Sequence, residues 1–123
     1  MRYLTDRKQA TGLGSAKSGT DHFWHMQISS VALLFLVPAF IFTFGSAVGR
    51  GYEQVLAYYS HPFPAVVAAL TLIVGLVHFK NGAQVAIEDY AHGITRKALI
   101  IGVTCFSYGS IAIGLFALVK LAL

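Results

Sequence analysis

Residues 65–90 read AVVAALTLIVGLVHFKNGAQVAIEDY. The first thirteen carry no charge, and their one hydroxyl is Thr71. His78, Lys80, Asn81, Gln84, Glu88, Asp89 and Tyr90 then arrive within thirteen positions. Upstream, no Asp, Glu, Lys or Arg occurs after Glu53 until Lys80. Pro62 and Pro64 stand where a helix would begin, because proline fits the first helical turn. A helix needs roughly 20 apolar residues to cross a bilayer. The stretch therefore predicts a membrane-spanning helix over about 64–88, with its polar chemistry gathered at the exit.

The rest of the chain repeats the pattern. Met26 to Gly49 and Ala98 to Val119 are also free of charge. They predict spans over about 23–48 and 98–121. Pro38 falls inside the first and is a candidate kink. Of 123 residues, 56% are hydrophobic and only 11% charged, against roughly 25% charged in soluble domains. The mean hydropathy is +0.67. Lipid leaves no solvent for unpaired backbone groups, so helices are expected. The alternation of outer-membrane barrels is missing. The predicted fold class is an all-α membrane protein with three transmembrane helices, made of an N-terminal tail over 1–22 and a three-helix membrane domain over 23–123.

The tail lacks an apolar core where a signal peptide would have one, so span one is expected to remain uncleaved. A single cysteine, Cys105, excludes an internal disulfide and a CxxCH haem attachment. At mid-span it is expected to be a small buried thiol. Arg2, Arg7, Lys8 and Lys17 lie in the tail, and Lys80, Arg96 and Lys97 flank the second connection. Only Arg50 and Lys120 lie on the other side. Seven cations against two predict a cytoplasmic N-terminus and a periplasmic C-terminus. The net charge of +4 then reflects topology and contact with anionic lipid rather than a nucleic-acid footprint. In the first connection, Tyr52, Tyr58 and Tyr59 suit a water–lipid interface, and His61 reads as a solvated loop histidine. Gly45 and Gly49 are spaced for close helix packing, as are Ser110 and Gly114.

A helical wheel sorts the polar residues of the second span. At 100° per residue, Thr71, Gly75, Gly82, Val85 and Asp89 share the face of His78, whereas Lys80, Gln84 and Glu88 form a separate stripe. Counted from Ala65, His78 is about 20 Å along the helix, still within the hydrocarbon, and Asp89 and Tyr90 come about 16–18 Å later. Gly75 and Gly82 leave a flat recess on either side of the imidazole, wide enough for a large planar ligand. An ionisable group at such depth points to function. Two readings stand side by side: a neutral histidine hydrogen-bonded between helices, and an axial ligand for haem iron. No other histidine lies at matching depth, so a second axial ligand would come from another chain. A tyrosine hydroxyl beside a carboxylate suits a quinone, whose carbonyl oxygens accept hydrogen bonds and then protons.

The run HFKNGAQVAIEDY resembles the succinate dehydrogenase hydrophobic membrane anchor subunits. That family's hallmark is a His, a Gly four residues on, then Gln-Val and an acidic-Tyr pair. Here these are His78, Gly82, Gln84-Val85 and Asp89-Tyr90. The opening of span one, GTDHFWHMQISSVAL, looks like the alphaproteobacterial form. Length, three spans and motif position extend the likeness over nearly the whole chain.

The resemblance implies a subunit of the bacterial inner membrane that binds haem b together with a second, cytochrome b-type anchor chain. It implies His78 as an axial ligand, with Gly75 and Gly82 packing against the ring. It also implies ubiquinone as substrate, held by Tyr90 and Asp89 beside an iron–sulfur subunit, with a flavoprotein subunit supplying electrons. Many relatives carry an Arg early in span one, near the haem propionates and quinone. Gln27 stands about there in this chain, which leaves His22, His25, Gln27 or a partner Arg as the donor. Two other functions fit the residues: a fumarate reductase anchor, and a small transporter or assembly protein without haem in which His78, Lys80 and Glu88 relay protons.

Overall fold

The computed structural model describes residues 5–12 and 19–123. Of the tail cations behind the expected orientation, Arg2, Lys17 and the side chain of Lys8 lie outside the described residues. Those residues form five helices and no strand. They are α1 (Asp6–Thr11), α2 (Asp21–Ala47), α3 (Tyr52–Tyr59), α4 (Pro62–Tyr90) and α5 (Gly93–Ala122). The helices α2, α4 and α5 are long and apolar enough to cross a membrane. This bears out the all-α, three-span expectation.

Each boundary has a local cause. Asp21 opens α2, where a carboxylate meets the positive end of the helix dipole. The helix passes through Pro38 without interruption. It stops after Ala47 because Gly49 takes φ +82°, a left-handed conformation that glycine adopts freely. Gly49 is therefore a turn residue. The expected Gly45/Gly49 packing motif does not form, and nothing approaches the Cβ side of Gly45. Pro62 stands at the start of α4, as expected. Only Ala91 and His92 separate α4 from α5, and Gly93 makes the reversal at φ +62°. Helix α5 starts five residues earlier than predicted, so Arg96 and Lys97 lie on its first turns.

Helix α4 is the middle layer. It packs against α2 on one side and α5 on the other, and α2 and α5 make no close backbone approach to each other. Both pairs are antiparallel. Near one end Ser29 meets His78 and Arg96 meets Glu88; toward the other, Gly114 meets Leu72. Helix α3 crosses that second end, touching all three spans. Tyr59 is only 6% exposed and packs with Ala47 and Ala68. Burial pushes its phenol above the ordinary value, and Tyr58 beside it adds to the shift. Tyr58 itself lies under the Arg50 guanidinium, 5.2 Å from the ring centre. An apolar cavity of about 540 Å³ opens here between Phe40, Phe44, Tyr59, Ala68, Leu72 and Leu118.

Most side chains buried along the spans are small: Ser29, Thr43, Ala47, Ala68, Asn81 and Ser107. The large apolar ones, such as Phe35, Phe42, Ile113 and Phe116, point outward. A soluble protein reverses this arrangement. In lipid it is the economical one, since small residues let helices approach while the surroundings are as apolar as leucine. Cys105 is also exposed on α5 rather than buried as expected.

Candidate functional site

The polar residues of α4 divide between its two neighbours. The Lys80, Gln84 and Glu88 stripe faces α5. The Lys80 ammonium sits 5.9 Å from the centre of the Tyr108 ring. Gln84 Nε2 donates to Glu88 Oε1 at 3.0 Å. Arg96 Nη2 on α5 lies 3.6 Å from the same oxygen.

The His78 side faces α2. Its imidazole is half-buried, and Nδ1 lies 2.8 Å from Ser29 Oγ. Ser29 is 8% exposed and donates its hydroxyl to the carbonyl of Met26 at 2.9 Å. Within the described residues Nε2 has no hydrogen-bond partner. One turn below, a Cβ added at Gly82 would touch only the Met26 methyl, at an ordinary 3.8 Å. One turn above, nothing lies within 4 Å of the Cβ direction of Gly75.

These observations test the fit of a haem. An axial imidazole needs a deprotonated ring nitrogen, a held orientation and room beside it for a planar macrocycle. Nε2 is free, Ser29 fixes the ring through Nδ1, and the Gly75 side is open. The residues fit the group. Thr71, on the same face, has its hydroxyl occupied by the Val67 carbonyl at 2.7 Å.

Asp89 and Tyr90 end α4 and are exposed, Tyr90 at 88%. No hydrogen bond or ion pair among the described residues engages either. Neither lines the apolar cavity, which lies at the opposite end. His22, His25 and Gln27 are exposed on the first turns of α2, at the same end of the molecule as Asp89 and Tyr90. His22 is near enough to Glu88 to interact with it electrostatically. Among the described residues, no hydrogen bond or ion pair links His25 or Gln27 to the other candidates.

No hydrogen bond links His78, Lys80 and Glu88, which have three different partners. Ser29 and Arg96 were missed in the sequence. The signal for Ser29 was the Ser29-Ser30 pair just ahead of a long apolar run, about 12 Å from the start of α2. His78 lies about 18 Å before the end of α4, so antiparallel helices bring the two to similar depth.

The sequence matches the family described as succinate dehydrogenase/fumarate reductase transmembrane subunit over residues 1–119. It is 49% identical to the succinate dehydrogenase hydrophobic membrane anchor subunit of Paracoccus denitrificans over 123 residues, covering 100% of this chain and 95% of that one. It is 32% identical over 101 residues to the subunit of the same name from Rickettsia bellii, covering 80% of each chain. The Rickettsia conorii subunit is 31% identical over 101 residues, with 80% of this chain and 79% of that one covered. No solved structure matches the chain at a significant level. A match along the whole sequence, on a molecule built from three membrane-length helices, means that the chain belongs to the succinate dehydrogenase hydrophobic membrane anchor subunits, multi-pass proteins of the bacterial inner membrane.

Proposed function

We propose that this chain supplies one of the two axial ligands of a haem b shared with a second anchor chain, and one wall of a ubiquinone pocket facing an iron–sulfur subunit. The observation that carries the haem reading is the His78 imidazole, held at Nδ1 by Ser29 with Nε2 free, beside the open side of Gly75. When bound, haem b supplies a one-electron redox centre. The chain contributes position, low dielectric and hydrogen bonds, as proteins do around a cofactor that carries the electron chemistry.

At the quinone, Tyr90 is the donor. Its hydroxyl hydrogen-bonds a carbonyl oxygen and stabilises the negative charge that grows there on reduction. Asp89 orients that hydroxyl and passes protons from the water at the helix end. Both side chains are bare in the isolated chain, which suits residues whose other walls come from partners. A flavoprotein subunit would take electrons from succinate, and the iron–sulfur subunit would deliver them to this end of α4. The seven-to-two cation asymmetry supports placing that end in the cytoplasm.

The test is a visible spectrum of the complex purified through this chain. A flavoprotein, an iron–sulfur protein and a second small membrane chain should co-purify, with a low-spin b-type spectrum. His78→Ala should lower haem occupancy or alter that spectrum. Unchanged haem content and spectrum would remove His78 as ligand. Succinate oxidation compared with fumarate reduction in the same preparation separates a dehydrogenase anchor from a reductase anchor.

A further inference from the structure

Ser29 contacts the one histidine at haem depth, and its hydroxyl has a single proton to give. Ser29 Oγ lies 2.9 Å from the Met26 carbonyl, three residues back on its own helix. This is the back-bond that serines make to the preceding turn. With that proton donated, only oxygen lone pairs remain toward His78 Nδ1, 2.8 Å away. In that arrangement Nδ1 carries the ring proton and donates to Oγ. The opposite tautomer would leave an Nε2–H without an acceptor among the described residues, at a depth where an unpaired donor is costly.

We propose that Ser29 is a positioning residue for His78: it accepts the Nδ1–H bond, is anchored by the Met26 carbonyl, and leaves Nε2 bare and aimed for a metal. The proposal rests on the reading of His78 as a haem ligand and extends it to the group that selects its tautomer. Partners of this kind fix ring orientation and raise the basicity of the ligating nitrogen. A more basic imidazole favours the oxidised iron. Ser29 therefore holds the haem potential down as well as holding the ring still. Ser30 supplies an internal control. Its hydroxyl donates to the same Met26 carbonyl at 2.8 Å, but it is exposed and does not touch His78.

The experiment uses the intact membrane complex, with Ser29→Ala, Ser29→Thr, Ser29→Val, Ser30→Ala and His78→Ala. The readouts are haem per complex, low-spin EPR g-values and the haem midpoint potential, none of which depends on turnover. Threonine and valine have the same shape and differ by one hydroxyl. Ala and Val at position 29 are expected to weaken haem retention about 10- to 100-fold. They should also shift the g-values and raise the potential. A tenfold loss of preference for oxidised iron equals about 59 mV in a one-electron couple. Thr should restore all three values, and Ser30→Ala should leave them unchanged. If Ala fails to assemble, the Thr/Val pair decides alone. Suppose His78→Ala disturbs the haem but Ser29→Val matches Ser29→Thr. The positioning role is then overturned and the ligand survives. Should His78→Ala leave the haem intact, the ligand reading fails and the Ser29 proposal fails with it.

Discussion

Tyr90 is the residue whose surroundings differ most between the isolated chain and the proposed complex. It is 88% exposed here, yet its hydroxyl is proposed to lie against a quinone carbonyl. Tyr90→Phe keeps the ring and removes that one donor. A buried acceptor deprived of its donor costs about 1–3 kcal/mol, so quinone reduction efficiency should fall roughly 5- to 150-fold. Haem content should be untouched, because Tyr90 lies twelve residues, about 18 Å, beyond His78 along α4. Succinate oxidation with a soluble acceptor that bypasses the quinone should also continue. Quinone reduction at the wild-type rate would make Tyr90 an interface aromatic and place the donor on another chain. His78 could be singled out as a candidate from the sequence, since an ionisable residue with glycines at i−3 and i+4 after a charge-free run stands out unaided. Ser29 could not, because its meaning depends on which face of α2 meets α4. A wheel drawn on one helix holds no information about its neighbour.

At the scale of the helices, α4 and α5 approach closely at Gly114. A Cβ added at Gly114 would run into Leu72 Cδ2. That atom is the end of a flexible side chain and borders the cavity under α3, so Leu72 has room to swing. Gly114→Ala is therefore expected to cost about 1 kcal/mol, the low end for overpacking. Leu72→Ala should suppress that cost, and a double-mutant cycle of unfolding in detergent measures the coupling. Costs that simply add would show that Leu72 is not what Gly114 accommodates. The Ser110/Gly114 pair gave this contact away in the sequence, whereas Gly45/Gly49 misled. Spacing alone does not reveal that one glycine of a pair has left the helix for a left-handed turn. The start of α5 differs from the predicted turn for a related reason. Absence of charge marks the hydrocarbon, but α5 continues through Arg96 and Lys97 into the polar zone, where charges and helix coexist. Helix α3, eight residues long, is too short for its periodicity to register.

The whole molecule is a layer of three helices with α4 inside, and its outer surfaces are mostly large apolar side chains. Three crossings would place the two termini on opposite sides of the membrane. With the seven-to-two cation asymmetry, a reporter fused after Leu123 should behave as periplasmic and one fused before the tail as cytoplasmic. A cytoplasmic signal from the Leu123 fusion would overturn either the orientation or the count of spans crossing the bilayer. The three spans could be read from sequence because each is long and uninterrupted. The central position of α4 could not, since all three are predominantly apolar and none carries a polar face along its whole length.

Ser29 and His78 stand 49 positions apart. Bacterial chains grow at about 5–20 residues per second, so the serine is made roughly 2–10 seconds before the histidine it will hold. The Met26 carbonyl, three residues away, is available as soon as that turn of α2 coils. During synthesis the hydroxyl can therefore hydrogen-bond to the Met26 carbonyl before His78 exists. Hydroxyl rotation is far faster than synthesis, so the order of arrival does not choose the tautomer; the Ser29–His78 contact forms only when α4 packs against an α2 turn that is already coiled.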